Sequence, residues 1–173
     1  MANIETLEVT DLDECIKVIN AFKQYDFFVE YRDEAFLKEY CQKLLSNGKF
    51  VVEYHNDIPV GFIGFYCNDI ETKTCFVTTL LLSDELGFMK GKTFFRLTTK
   101  AIQIIKDAGM ENVRLEVDKE NKKALQLYKH LGFEIISDNN DKSYFMELKL
   151  NKLTTKLSNK KDQWALNSLV FCY

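Results

Sequence analysis

Two stretches of the chain set residue types at spacings that could do chemistry. Residues 87–93, GFMKGKT, place two glycines and two lysines just ahead of a helical pattern. Glycines let backbone N–H groups approach an anion, and a helix N-terminus adds oriented donors and a partial positive charge, so this is a place suited to phosphate. Lys90 and Lys92 bring formal charge to the same spot. Residues 25–36, YDFFVEYRDEAF, interleave Tyr25, Phe27, Phe28 and Tyr31 with Asp26, Glu30, Asp33 and Glu34. Aromatic faces beside carboxylates suit a cationic amine through cation–π contact and charge pairing. The competing reading is that two or three of these rings simply fill the core.

Hydrophobic periodicity gives the elements that must position these residues. Residues 4–9 read as a strand, and Thr10 or Asp11 caps a helix whose stripe runs Leu12, Cys15, Ile16, Ile19 and Phe22. A second helix begins near Asp33, with Phe36, Leu37, Tyr40 and Leu44 inward and Asn47-Gly48 as its stop. Residues 49–54 and 60–66 form a hairpin across His55-Asn56-Asp57, and a turn near Asn68-Asp69 leads to a third strand at 75–82. Residues 83–92 then read as a loop, 93–108 as a helix, and 112–117 (NVRLEV) as a strand apolar enough to be buried on both faces. A final hairpin pairs 134–136 with 144–150. Cys67 and Cys75 flank the second turn, which places them on neighbouring antiparallel strands.

Between the last strands lies residues 117–133, VDKENKKALQLYKHLGF. Ala124, Leu127, Tyr128 and Leu131 recur at helical spacing and share one face, while Lys122, Lys123 and Lys129 fall toward the other. Gly132 ends this helix in the left-handed conformation, and Phe133 folds back over its end. By itself the pattern describes a capped core helix.

The order of parts changes that reading. A strand-end hydrophobe, Val117, followed by Asn121, Ala124, Tyr128 and Gly132-Phe133 resembles the coenzyme-A-proximal motif of the GNAT superfamily of N-acyltransferases. The element order β-α-α-β-β-β-α-β-α-β-β is similar too, so the resemblance spans about residues 3–150. It implies an α/β (α+β) GNAT-like fold, a mixed central sheet of about seven strands flanked by about four helices, with residues 151–173 as a C-terminal extension. It also implies acetyl-CoA as acyl donor, an amine acceptor, and direct transfer of the acetyl group. Leu80, Leu81 and Leu82 would lie beside the pantetheine and acetyl group, Asn121 and Ala124 along the cofactor arm, and Tyr128 would be the general acid. Family members hold the pyrophosphate on a loop reading Gln/Arg-x-x-Gly-x-Gly/Ala. Met89 stands at its first position and Lys92 and Phe94 at the two glycines, with Gly91 one residue early, so Met89, Lys90, Gly91, Lys92, Thr93 and Phe94 make a degenerate version. Phe76 stands where several relatives carry a strand glutamate, which leaves a water-mediated base or a carboxylate such as Glu30 or Asp33. Tyr25, Phe28, Glu30, Tyr31 and Asp33 are the expected acceptor pocket. The alternatives are a GNAT-fold module that binds an acyl-CoA or a partner without turnover and, more remotely, a nucleoside-triphosphate loop at Gly87–Thr93. That loop needs four residues between its glycines, and here there are three.

Composition bounds the partners. The 173 residues make one domain, and a 46% hydrophobic content with a single proline leaves little room for a disordered linker. A net charge of −3 argues against a nucleic-acid footprint, which needs a basic face. Five cysteines without C-x-x-C spacing, and two histidines at no ligand interval from them, argue against a metal site. No window suits a signal or a bilayer, so the expected setting is cytoplasmic with reduced thiols, without membrane partner. The end of the chain, residues 164–173, is nearly apolar. It is expected to dock on its own domain or on a second subunit, making a homodimer.

Overall fold

The computed structural model describes residues 3–25, 33–139 and 141–152. Seven strands form one mixed sheet in the order β1-β2-β3-β4-β5-β7-β6. They are β1 (Ile4–Glu8), β2 (Lys49–His55), β3 (Ile58–Asp69), β4 (Thr74–Leu82), β5 (Asn112–Asp118), β6 (Glu134–Asn139) and β7 (Ser143–Lys149). Four α-helices flank it: α1 (Leu12–Asn20), α2 (Glu34–Asn47), α3 (Lys90–Asp107) and α4 (Lys122–Leu131). Only β4 and β5 run parallel among the paired strands.

Strand alternation splits the core in two. Phe50, Val52 and Phe62 face α1 and α2, joined by Cys15, Ile19, Leu37 and Leu44. Val51, Ile63, Leu115 and Met146 face α3 and α4, joined by Leu97, Ala101, Ile105 and Leu125. Asp11 caps α1 by accepting from the Glu14 N–H at 2.9 Å, and Asp33 caps α2 by accepting from the Phe36 N–H at 2.8 Å. Asn56 and Asp57 adopt φ of 50° and 65°, the left-handed pair of a two-residue hairpin turn.

The structure corrects four expectations. Phe36 is exposed, because the buried stripe of α2 runs through Leu37, Cys41 and Leu44, one position round the helix from it. The turn between β3 and β4 lies after Asp69, whose carboxylate accepts from the Thr72 N–H at 3.0 Å; β3 therefore runs through Asn68 instead of ending there. Strand β5 buries one face, with Val113, Leu115 and Val117. Its other face carries Arg114, 2.8 Å from Glu147 of β7, and Glu116, which accepts from Ser143. Residues 84–92 are not a loop: a 3₁₀ segment at Asp84–Met89, kinked at Gly87, runs into α3. Cys67 and Cys75 do lie on adjacent antiparallel strands, β3 and β4, as free thiols.

Candidate active site

The sheet opens where its one parallel pair ends. β4 pairs with β5 from Thr74↔Asn112 to Val77↔Leu115, and β5 continues to Asp118 against β7, so the two strands part beyond that rung. β4 goes on alone to Leu82, held only by β3. The Ser83 N–H bonds the Val60 carbonyl at 2.8 Å, so by the alternation of an antiparallel ladder Leu81 and Thr79 also turn their backbone groups to β3. Leu80 and Leu82 therefore aim N–H and C=O toward the side that β5 has left.

That gap forms a cleft of about 310 Å³. Leu80, Leu81 and Leu82 line it from β4, Lys90 and Phe94 from α3, and Asn121, Ala124, Leu127 and Tyr128 from the segment that follows β5. Tyr25 and Asp84 complete the lining. Of the residues expected to touch the cofactor, Leu80, Leu81, Leu82, Lys90, Phe94, Asn121 and Ala124 come together here with Tyr128. Met89, Gly91, Lys92 and Thr93 stand at the start of α3 without lining the cleft.

Local chemistry explains each wall. Asn121 caps α4 by accepting from the Ala124 N–H at 3.0 Å, so its side-chain oxygen serves the helix first. Gly132 takes φ 99°, its N–H bonds the Lys129 carbonyl, and the Phe133 N–H bonds the Tyr128 carbonyl. This closure sets the Phe133 ring 5.5 Å from that of Tyr128. Tyr128 is half-buried, and burial pushes its phenol up to about 12, so the proton stays on oxygen at neutral pH.

The helix start differs from a glycine-rich phosphate loop. Gly87, at φ 47°, kinks the chain inside the Asp84–Met89 segment, and the Lys90 N–H bonds the Gly87 carbonyl. Met89 stands at the N-cap of α3 and makes no side-chain hydrogen bond to the helix. Lys90 tucks inward: its side chain is 7% exposed and its Nζ is 2.6 Å from Asp84 Oδ1. The Asp84 N–H in turn donates to the Tyr25 phenol oxygen at 2.8 Å, which joins three cleft residues into one chain of contacts. Sequence reading missed Asp84, although Ser83-Asp84-Glu85 carries the cap-then-acid pattern of a helix start; Ser83 Oγ accepts from the Glu85 N–H.

Thr93 points away from the cleft into a buried ionic cluster. Its hydroxyl donates to Glu53 Oε1 at 2.8 Å, and Glu53 also takes Arg96 Nε at 2.9 Å, His55 Nε2 at 2.8 Å and the Thr6 hydroxyl at 3.2 Å. Glu53 is fully buried. Burial alone would raise its pKa, but the hydrogen bonds from Arg96, His55 and Thr93 outweigh it and hold the carboxyl below its usual range. The cluster ties the first turn of α3 to β2.

The expected acceptor pocket is represented by two residues. Tyr25 lines the cleft, whereas Asp33 is spent as the cap of α2 and does not. Phe28, Glu30 and Tyr31 lie outside the described residues. Phe76, half-buried on β4, packs against Phe145 at 6.2 Å. Among the described residues no cluster suits a metal, and no helix is long and apolar enough to cross a membrane.

A sheet splayed between its fourth and fifth strands, with a helix start on one side of the gap and a tyrosine helix on the other, defines the acyltransferase class of α/β folds. Residues 13–133 match the acetyltransferase (GNAT) family, and the chain belongs to it. It is 31% identical over 138 residues to an uncharacterized N-acetyltransferase of Methanocaldococcus jannaschii, covering 76% of this chain and 60% of that protein. The match thus spans about 60% of that relative's length. Among solved structures it is similar to the Campylobacter jejuni N-acetyltransferase PseH, at TM-score 0.59 and 25% identity over 84% of this chain and 97% of the other. The PaiA N-acetyltransferase of Thermoplasma acidophilum, solved in complex with coenzyme A, shares the fold at TM-score 0.62 and 24% identity, over 85% and 99% of the two chains.

Proposed function

We propose that this protein is an acetyl-CoA-dependent N-acetyltransferase that moves an acetyl group directly to a primary amine. The observation that carries the reading is the meeting of Tyr128 with Leu80 and Leu82 across one cleft, at the point where β4 and β5 part. The donor's pantetheine arm runs in this gap, where outward backbone groups of β4 can replace the missing strand's hydrogen bonds. A backbone N–H there polarises the thioester carbonyl as negative charge develops on its oxygen. The amine attacks unprotonated and forms the C–N bond, the C–S bond breaks as Tyr128 gives its proton to the departing thiolate, and the proton shed by the nitrogen passes through water to restore the phenol. Its raised pKa keeps that proton in place beforehand, and the same dry surroundings raise the proton affinity of a thiolate beside it. The start of α3, where Lys92 is exposed, offers positive charge for the donor's phosphates, while Lys90 is held in its ion pair with Asp84.

The acceptor enters beside Tyr25, whose ring suits a cationic amine. A second reading, a module that binds acyl-CoA without turnover, is favoured by one fact. Asp84, the carboxylate lining the cleft among the described residues, is ion-paired to Lys90 and not poised to take a proton from an amine. Incubation with acetyl-CoA and a panel of polyamines, amino sugars and lysine peptides separates the two. Amine-dependent release of free thiol, with acetylated amine by mass spectrometry, supports the enzyme. Acetyl-CoA binding with no thiol release from any amine supports the module.

A further inference from the structure

Three residues of the cleft are shared with a second cavity. Leu80, Phe94 and Tyr128 also line a second cavity of about 70 Å³, which runs inward between α3, α4 and the sheet. Val77 and Leu115, the last paired rung of β4 and β5, lie on its wall, so it sits under the apex of the gap. The remaining wall is Ala101, Ile102 and other apolar side chains, with Thr98 as the polar addition. The Thr98 hydroxyl is already turned back to the Phe94 and Phe95 carbonyls at 2.7 and 3.2 Å. A cavity with so little to offer water stays dry and takes apolar guests.

We infer that this slot receives the alkyl chain of the acyl donor, so that short-chain acyl-CoA thioesters up to butyryl bind the same cleft more tightly than acetyl-CoA, which remains a donor. The inference rests on the acyl-CoA reading of the cleft. Size sets the length: an apolar cavity of about 150 Å³ takes the six carbons of benzene, so by proportion this one takes about three. Three carbons beyond the carbonyl make a butyryl group. Each added methylene buried in the slot tightens binding about fourfold, giving roughly 15-fold from acetyl to butyryl.

The experiment is calorimetric titration of the full chain with CoA, acetyl-, propionyl-, butyryl- and octanoyl-CoA, repeated on Ala101→Leu and Ile102→Ala. The expected series tightens from acetyl to butyryl and weakens by octanoyl. Ala101→Leu, which fills the slot, should lower the butyryl-to-acetyl ratio about tenfold; Ile102→Ala, which enlarges it, should move the optimum to a longer chain. Equal affinities from acetyl to butyryl, or tightening that continues through octanoyl in wild type and both variants alike, would overturn the slot while leaving the acyl-CoA cleft intact. Binding of none of the five ligands would overturn both.

Discussion

Arg96 and Glu53 meet between α3 and β2 as a two-pronged ion pair, Nε 2.9 Å from Oε2 and Nη2 2.5 Å from Oε1. The carboxylate is fully buried and the guanidinium mostly so. Breaking a buried pair by removing one charge strands the other, at a cost near 3 kcal/mol. Glu53→Gln should therefore lower stability by about that amount in urea unfolding. A loss within error of zero would mean that water screens the cluster.

The same group gives a pH dependence. The folded carboxyl lies below its usual value of 4.5, so the unfolded chain takes up protons first as pH falls. Its contribution is complete above that usual value and is lost as pH drops through the depressed one. In wild type, stability should fall on acidification below the usual glutamate range, and in Glu53→Gln that part of the slope should be missing. Parallel profiles for the two proteins would assign the acid sensitivity elsewhere.

Much of this architecture was readable residue by residue. The Asn121 cap, the left-handed Gly132 and the stripe through Ala124 and Tyr128 are local, and each sits where spacing alone put it. The opening between β4 and β5 was not legible, since no local signal tells where two strands stop pairing. The Glu53 cluster was hidden because a glutamate in a strand reads as solvent-facing, and its partners come from β1, β2 and α3. One clue was present: Glu53 alternates with Val51, and that face lies under α3. The ordered start of α3 was missed because two glycines in five residues read as loop. Gly91 is in fact buried inside the helix, and only Gly87 makes the turn.

Gly132 has a cost of its own to reveal. At φ 99° an L-residue is strained, so Gly132→Ala should destabilise by roughly 1–2 kcal/mol in urea unfolding. Unchanged stability would show that the end of α4 relaxes, and with it the Phe133–Tyr128 ring contact.

Tyr128→Phe removes a proton donor and little volume. It should reduce kcat by about 10²-fold while leaving acetyl-CoA affinity nearly unchanged. Wild-type turnover in that variant would reduce Tyr128 to a packing residue against Phe133.

Residues 164–173, WALNSLVFCY, lie outside the described residues. Their apolar area is worth several kcal/mol if covered, so removal of residues 160–173 should change the assembly state by light scattering or lower the melting temperature. A truncated protein unchanged in both would deny the segment any docking role.

The central claim is that the gap between β4 and β5 holds an acyl-CoA, and thermal shift tests it most directly. A ligand that binds only the folded state at about 100 times its Kd adds about 2.7 kcal/mol. For a chain of this size that is a rise of roughly 5–10 °C in Tm. The account predicts such a rise with acetyl-CoA and none with ATP-magnesium. A rise with ATP-magnesium and none with acetyl-CoA would contradict it, and would return residues 87–93 to the nucleotide-loop reading.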